Sequence, residues 1–431
     1  MSGERTAYEL SRSQVETPPR IVELFWRFTN SYRDGFQEIL DLGAGDGRFA
    51  IGGNYDRYVG VEIDSTKRVR QDLPTRASLS YGCAFDLELG DYSACVGNPP
   101  YVRGHHLEAA WRDRIAAQLE ASTATTLHRK CNLYVYFFLL ALLRANKGGL
   151  VSLVVPFEWT SRPAARPLRD FIRRHGWSVD VYRFDNSVFP GVLTTASVSV
   201  VDKAASHGTW RYFEIGDDGD TSVSRLWPDS PRVLRYENRG AIYAERGLSP
   251  GSQKVFTLTN GERIHAGLTM EDVVPCVTSL RALPSHLERL TETAFRKRFV
   301  EAGARCWLVR SYEQPISPRL KRYLESIPKS RRDTATCRAR NPWYSFRRPA
   351  APLLLVSSGF KNSVPKVLCN SVGAVAVGGV TGVHSTVRVS VSRLREYLLA
   401  ERLDHRVVPH ANGFTKLEIG QLNSLLNSYP A

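Results

Sequence analysis

The sequence predicts an α/β protein whose first half is built on a largely parallel sheet. Short apolar runs of strand length alternate there with helical stretches. A glycine-rich turn follows the first such run directly, and the texture changes after about residue 204. Residues 38–42 form the first strand pattern, residues 57–63 the second and residues 92–97 the third. Residues 132–146 predict an apolar helix and residues 149–155 a buried strand. Residues 163–175 have basic amphipathic helix character, and residues 179–184 and 196–201 supply the last two strands. The acidic glycine cluster at 216–220 reads as a loop, so the expected domains are 1–204 and 205–431, with the boundary near 203–210.

Composition narrows the class. A chain of 431 residues holds two or three domains. With 42% hydrophobic and 23% charged residues it can bury real cores. No apolar stretch reaches the roughly 18 residues of a membrane span, and Met1 to Arg20 lacks a secretory pattern, so no membrane role and a cytoplasmic setting are expected. The seven cysteines are scattered singly, which argues against a disulfide framework and against paired-cysteine zinc. A net charge of +15 suits a partner dense in phosphate, although charge by itself decides little.

The turn Asp41-Leu42-Gly43-Ala44-Gly45-Asp46-Gly47 follows a strand and is expected to precede a helix. Glycines such as Gly43 and Gly45 let backbone approach a ligand closely. Asp41 would repel a pyrophosphate but suits the ammonium of a methionine moiety, which favours S-adenosylmethionine over a dinucleotide. Glu62, at the end of the next strand, can accept from both ribose hydroxyls. A plain structural turn with a chance acid downstream is the alternative. Asp86 can accept from an adenine amino group, or be an ordinary loop residue.

Asn98-Pro99-Pro100-Tyr101 ends the third strand. Two prolines remove N–H groups and stiffen the loop, leaving carbonyl acceptors. The Asn98 side-chain oxygen and the Pro99 carbonyl can both accept from one planar NH₂ group. Such an amine is a poor nucleophile until its lone pair is freed from the ring. Tyr101 offers a face for the base. A rigid turn is the bland alternative.

In this order the motifs resemble the γ-class N6-adenine DNA methyltransferases. The ordered set runs from Glu16-Thr17-Pro18-Pro19 through the glycine turn, Gly60 to Asp64, Asp86 and Asn98 to Tyr101. It continues through Cys131 to Tyr134, Lys147 to Gly149, Val154 to Pro156 and Val188 to Pro190, covering about residues 14–202. The resemblance implies a class I S-adenosylmethionine-dependent methyltransferase sheet, Rossmann-like, followed by a mixed α/β target-recognition domain. It implies S-adenosyl-L-methionine as cofactor and N6 of a flipped adenine as target. The cofactor set would be Thr17, Pro18, Asp41, Gly43, Gly45, Glu62, Ile63, Asp86, Leu87 and Asn98, with Thr17-Pro18 at the methionine end. Asn98, Pro99, Pro100 and Tyr101 would be catalytic, and Phe189 would face Tyr101 across the base. A flipped base costs a few kcal/mol of unpairing, and each aromatic stack returns about 1–3 kcal/mol. The implied partners are double-stranded DNA and a separate restriction endonuclease acting on the same site, with no metal and a monomeric enzyme, in a prokaryotic or phage-infected cell.

Residues 102–130 carry Arg103, Arg112, Arg114 and Arg129 and are either a flap over DNA phosphates or a solvated surface helix; His105 and His106 read as surface residues. In the second half a basic stretch from Arg319 to Arg348 is interleaved with Tyr323, Trp343, Tyr344 and Phe346, and only Glu325 and Asp333 oppose it locally. Basic groups reach phosphates, while aromatics pack scaffold or touch bases. Thr269, Ser279 and Arg281 are weak candidates for base reading. Rival readings are RNA adenine methylation, protein glutamine N5-methylation, N4-cytosine methylation and a DNA-binding module on an inactive methyltransferase fold. No nuclease motif stands out in the chain.

Overall fold

The structure, a computed structural model, describes residues 16–86, 90–129, 131–184, 195–224, 227–228, 230–313, 315–360, 364–408 and 415–430. Two compact units divide between Pro228 and Asp229. No helix of the described residues is long and apolar enough to cross a membrane.

The first unit is a nine-stranded sheet: β1 (Phe36–Leu42), β2 (Tyr55–Glu62), β3 (Ala77–Tyr81), β4 (Tyr92–Gly97), β5 (Ala145–Pro156), β6 (Ser178–Phe184), β7 (Ala196–Asp202), β8 (Trp210–Ile215) and β9 (Thr221–Val223). Their order is β3-β2-β1-β4-β5-β7-β6-β8-β9. Strands β1 to β5 pair in parallel. β7 runs antiparallel between β5 and β6. It can sit inside the sheet because small serines alternate with valines: Ser197 and Ser199 are fully buried, Ser197 Oγ donates to the Val155 carbonyl, and Trp159 Nε1 donates to Ser199 Oγ at 2.8 Å.

Strand order reverses between β1 and β4, where Asp41 lies in register with Val96. In open α/β sheets the ligand crevice opens at the carboxyl ends of strands at such a switch point. The glycine turn and the Asn98 tetrapeptide leave the sheet there, from neighbouring strands.

Two expectations need correction. The domain boundary is not near 203–210: β8 pairs in parallel with β6 and β9 closes on β8, so the sheet absorbs residues to 223. The helix expected after the glycine turn is also absent, replaced by a single 3₁₀ turn, Arg48–Ala50. Its place against the sheet is taken by α1 (Pro19–Asn30), which buries Ile21, Val22, Leu24, Phe25, Trp26 and Phe28 with Ile39, Phe49 and Tyr58. Trp26 Nε1 donates to the Phe49 carbonyl at 3.1 Å, tying this helix to the short turn. Residues 102–130 hold α2 (Ala109–Thr123), which buries Arg112, Ile115, Leu119 and Thr123. The apolar helix expected at 132–146 is α3 (Leu133–Arg144), started by Asn132, and α4 (Arg166–Arg174) follows the buried β5.

The second unit is built on two small sheets. Its strands are β10 (Ile242–Arg246), β11 (Thr257–Leu258), β12 (Val273–Val277), β13 (Arg289–Leu290), β14 (Trp307–Val309), β15 (Leu354–Ser357), β16 (Gly359–Phe360), β17 (Val367–Asn370), β18 (Val375–Ala376), β19 (Val380–Ser385) and β20 (Thr415–Lys416). One sheet is ordered β10-β19-β15-β17-β13 and the other β11-β14-β12-β18, while β16 pairs with β20. Helices α5 (Pro318–Glu325), α6 (Val391–Ala400) and α7 (Ile419–Asn427) bury leucines against two separate apolar cores.

Candidate active site

Asp41 is the last residue but one of β1 and is 1% exposed. Tyr58 donates its hydroxyl to Asp41 Oδ2 at 2.6 Å, while Oδ1 is buried without a hydrogen-bond partner. Burial pushes the Asp41 carboxyl up to about 7; the Tyr58 hydrogen bond opposes this, and the negative charges of Glu62 and Asp46 add to it. Oδ1 faces Gly97, the residue before Asn98: a Cβ at Gly97 would stand 2.1 Å from it, and Gly97 has φ +122°. Only glycine combines that backbone conformation with that clearance.

The turn itself is held by β2. Gly43 N–H and Ala44 N–H both donate to the Val61 carbonyl, at 2.8 and 3.0 Å. Glu62 accepts from Gly45 N–H at 2.9 Å through Oε2 and from Asp64 N–H at 2.9 Å through Oε1. The carboxylate expected to meet a ribose thus also fixes the turn, and its remaining lone pairs are what a ligand could use. Its neighbour Ile63 is an apolar side chain 55% exposed.

Asn98 lies just past β4. Its Nδ2 donates to Thr17 Oγ1 at 2.9 Å, and its Oδ1 is buried without a partner. Thr17 is itself buried, with Pro18 half-buried beside it. Tyr101 donates its hydroxyl to the Val154 carbonyl of β5 at 2.9 Å, and its ring meets Tyr134 edge-on at 6.1 Å. Burial raises the Tyr101 phenol well above its ordinary value, so the hydroxyl stays a donor and the ring is anchored at its far end. The carbonyl of Val102 accepts from Leu133 N–H at 2.8 Å, pinning the tetrapeptide to the start of α3.

The structure therefore brings Thr17, Asp41, Gly43, Gly45, Glu62, Asn98 and Tyr101 to the β1/β4 crevice. Asp86 is exposed and accepts from Arg114 of α2 at 2.9 Å through Oδ1, and that guanidinium holds its carboxyl below the usual range. Leu87 and Phe189 lie outside the described residues. Sequence reasoning missed Tyr58, Gly97 and Arg48. Arg48 donates to the Thr17 carbonyl and pairs with Asp46 at 2.7 Å and Glu16 at 3.1 Å. Its position directly after the glycine turn was the available signal.

Among the weaker candidates of the second half, Thr269 is occupied in a capping box with Asp272. Ser279 accepts from Arg281 N–H at 3.2 Å, a local turn bond.

Sheet order and site together define the class I S-adenosylmethionine-dependent methyltransferase fold. Comparison with known proteins narrows this. Residues 63–189 match the family model described as the Eco57I restriction-modification methylase, and residues 237–400 match that of the Type II methyltransferase M.Eco57I C-terminal domain. The two matches, both to models of Eco57I-type restriction-modification methylases, thus follow one another along the chain. The Type II methyltransferase M.XamI of Xanthomonas campestris pv. amaranthicola is 28% identical over 181 residues, 37% of this chain and 33% of that protein. The match therefore spans about a third of the relative's own length. Among solved structures, the Type IIL restriction-modification enzyme MmeI, in complex with DNA, is similar in fold with a TM-score of 0.62 at 9% identity, over 96% of this chain and 64% of that one.

Proposed function

We infer that this chain methylates the N6 amino group of adenine in double-stranded DNA, with S-adenosyl-L-methionine as donor, as the modifying half of a restriction-modification system. One observation carries the reading: a buried, partnerless acceptor, Asn98 Oδ1, stands just past β4 in the tetrapeptide that ends on the anchored ring of Tyr101. A buried acceptor without a partner costs about 1–3 kcal/mol, which a ligand amine would recover.

The residues fit the cofactor. Asp41 Oδ1 is a second buried orphan acceptor, suited to an ammonium, and Glu62 and the exposed Ile63 suit a ribose and a flat ring. When bound, the cofactor supplies an activated sulfonium methyl. The chain's part is to align and to polarise. Asn98 Oδ1 and the Pro99 carbonyl accept the two amine protons and so free the nitrogen lone pair. Tyr101 stacks the extruded base, which cannot be reached inside a duplex. Asp86 keeps its cofactor role through the carboxylate oxygen that Arg114 does not take, and Leu87 and Phe189 keep the roles the resemblance implies. The similarity to restriction-modification methylases, and MmeI's solution as a DNA complex, support DNA as the substrate. A separate endonuclease reading the same site and a monomeric enzyme complete the proposal.

The test is methylation-sensitive sequencing of DNA from cells expressing the chain or its Asn98→Ala variant. A single modified-adenine motif present only with the parent is expected, and in vitro the variant should lose at least about a hundredfold in rate while keeping cofactor affinity. Undiminished methylation by Asn98→Ala would remove the residue from catalysis. Methyl transfer to RNA or protein alone would replace the substrate.

A further inference from the structure

Asp86 closes the 3₁₀ turn Ala84–Asp86, and one face of α2 grips that turn. Trp111, Arg114 and Gln118 are spaced by three and four residues, so they are neighbours on that face. Trp111 meets the buried ring of Phe85 edge-on at 5.8 Å, and Phe137 of α3 meets the same ring at 5.0 Å. Gln118 Nε2 donates to the Phe85 carbonyl at 3.1 Å. The N–H of the same peptide group, that of Asp86, donates to the Cys83 carbonyl at 3.0 Å. The peptide plane is therefore held from both sides. Arg114 Nη1 donates to Asp86 Oδ1 at 2.9 Å. The Asp86 side chain is 55% exposed, and a carboxylate so open to water would otherwise turn through its rotamers. The helix is itself fixed at its start, where Glu108 accepts from Ala110 N–H and Trp111 N–H, both at 3.0 Å.

We propose that Arg114 and Gln118 are positioning residues for the cofactor: they set the Phe85–Asp86 peptide and hold the Asp86 carboxylate with Oδ2 turned to the adenine amino group. The oxygen that Arg114 leaves is then oriented before the ligand arrives, which removes part of the ordering cost of binding. This role rests on Asp86 meeting the cofactor, as read above.

The full chain is titrated by calorimetry with S-adenosyl-L-homocysteine and with S-inosyl-L-homocysteine, in which a carbonyl replaces the amino group. No DNA is present, so a phosphate contact by Arg114 cannot mimic the effect. The parent should prefer the amino compound, and Asp86→Ala should cut that preference at least about tenfold. Arg114→Met, which keeps the stem and removes the guanidinium, should cut it about threefold, as should Gln118→Leu, and the two together about tenfold. Binding of the inosyl compound should weaken by no more than about twofold in these three variants. A helix that only packs against the turn would weaken both ligands alike and leave the ratio at its parental value, and that result in the double variant would overturn the proposal. An unchanged ratio in Asp86→Ala would overturn it as well, by removing Asp86 from the adenine site. A parent that binds neither compound would sink the cofactor reading itself.

Discussion

At residue scale, Asp41 and Gly97 form one device. The free carboxyl of Asp41 is pushed up to about 7, against about 3.9 for an unfolded chain. The folded protein therefore binds that proton more tightly. This contribution to stability is full below about pH 4 and lost as pH rises through 7. Asp41→Asn should remove the dependence, so melting curves of parent and variant should diverge from pH 5 to pH 8, the parent losing ground; parallel curves would refute it. Binding of a cationic ligand has the opposite sign, because it needs the carboxylate. Cofactor affinity should strengthen from pH 6 to pH 8 in the parent and stay weak and flat in Asp41→Asn, as calorimetry would show. Gly97→Ala places a methyl 2.1 Å from Asp41 Oδ1 at φ +122°. A loss of about 1–3 kcal/mol is expected, read from denaturant melts.

At the scale of elements, α1 does the work of the helix that the short β1–β2 connection omits. It covers one face of β1 and β2 through Trp26, whose ring also lies over Gly53: a Cβ there would meet it at 2.6 Å. Trp26→Ala should cost about 3–5 kcal/mol. If the helix only decorates the sheet, chemical denaturation will show less than about 1 kcal/mol. The same helix starts directly after Thr17-Pro18, so its packing fixes where the segment facing Asn98 begins.

At the scale of the whole molecule, charge is sorted in the second unit. Arg319 pairs with Glu271 and Asp272, Arg338 with Asp333, and Lys321 with Glu325. Arg340 donates to the Pro250 carbonyl, and Arg332 stacks over Trp343 at 4.8 Å. Trp343, Tyr344 and Phe346 pack partly on that unit's core. Much of the basic stretch is therefore scaffold. Arg322, Lys329, Arg331, Arg347 and Arg348 are exposed and, among the described residues, not ion-paired. Each one that neutralises a phosphate should lower the slope of log affinity against log salt by about 1 when changed to alanine. Titrations of labelled duplex across salt would show this, and an unchanged slope in the combined variant would place DNA on another surface.

By itself the sequence determined the elements whose signals are local. The apolar runs of β1, β4 and β5, the helix after Asn132, the glycine turn and Asn98 to Tyr101 all depend on periodicity and on residue types with restricted backbones. Tertiary structure decided what depends on distant partners. β8 and β9 joined the first sheet because β6 offered a parallel edge, which no composition shift at residue 204 could reveal. Asp86 turned to Arg114, and Arg319 to Asp272, because ion pairs form across space and the chain does not space them regularly. Thr17 reached Asn98, and Tyr58 reached Asp41, for the same reason: a hydrogen bond is settled by where folding leaves two side chains.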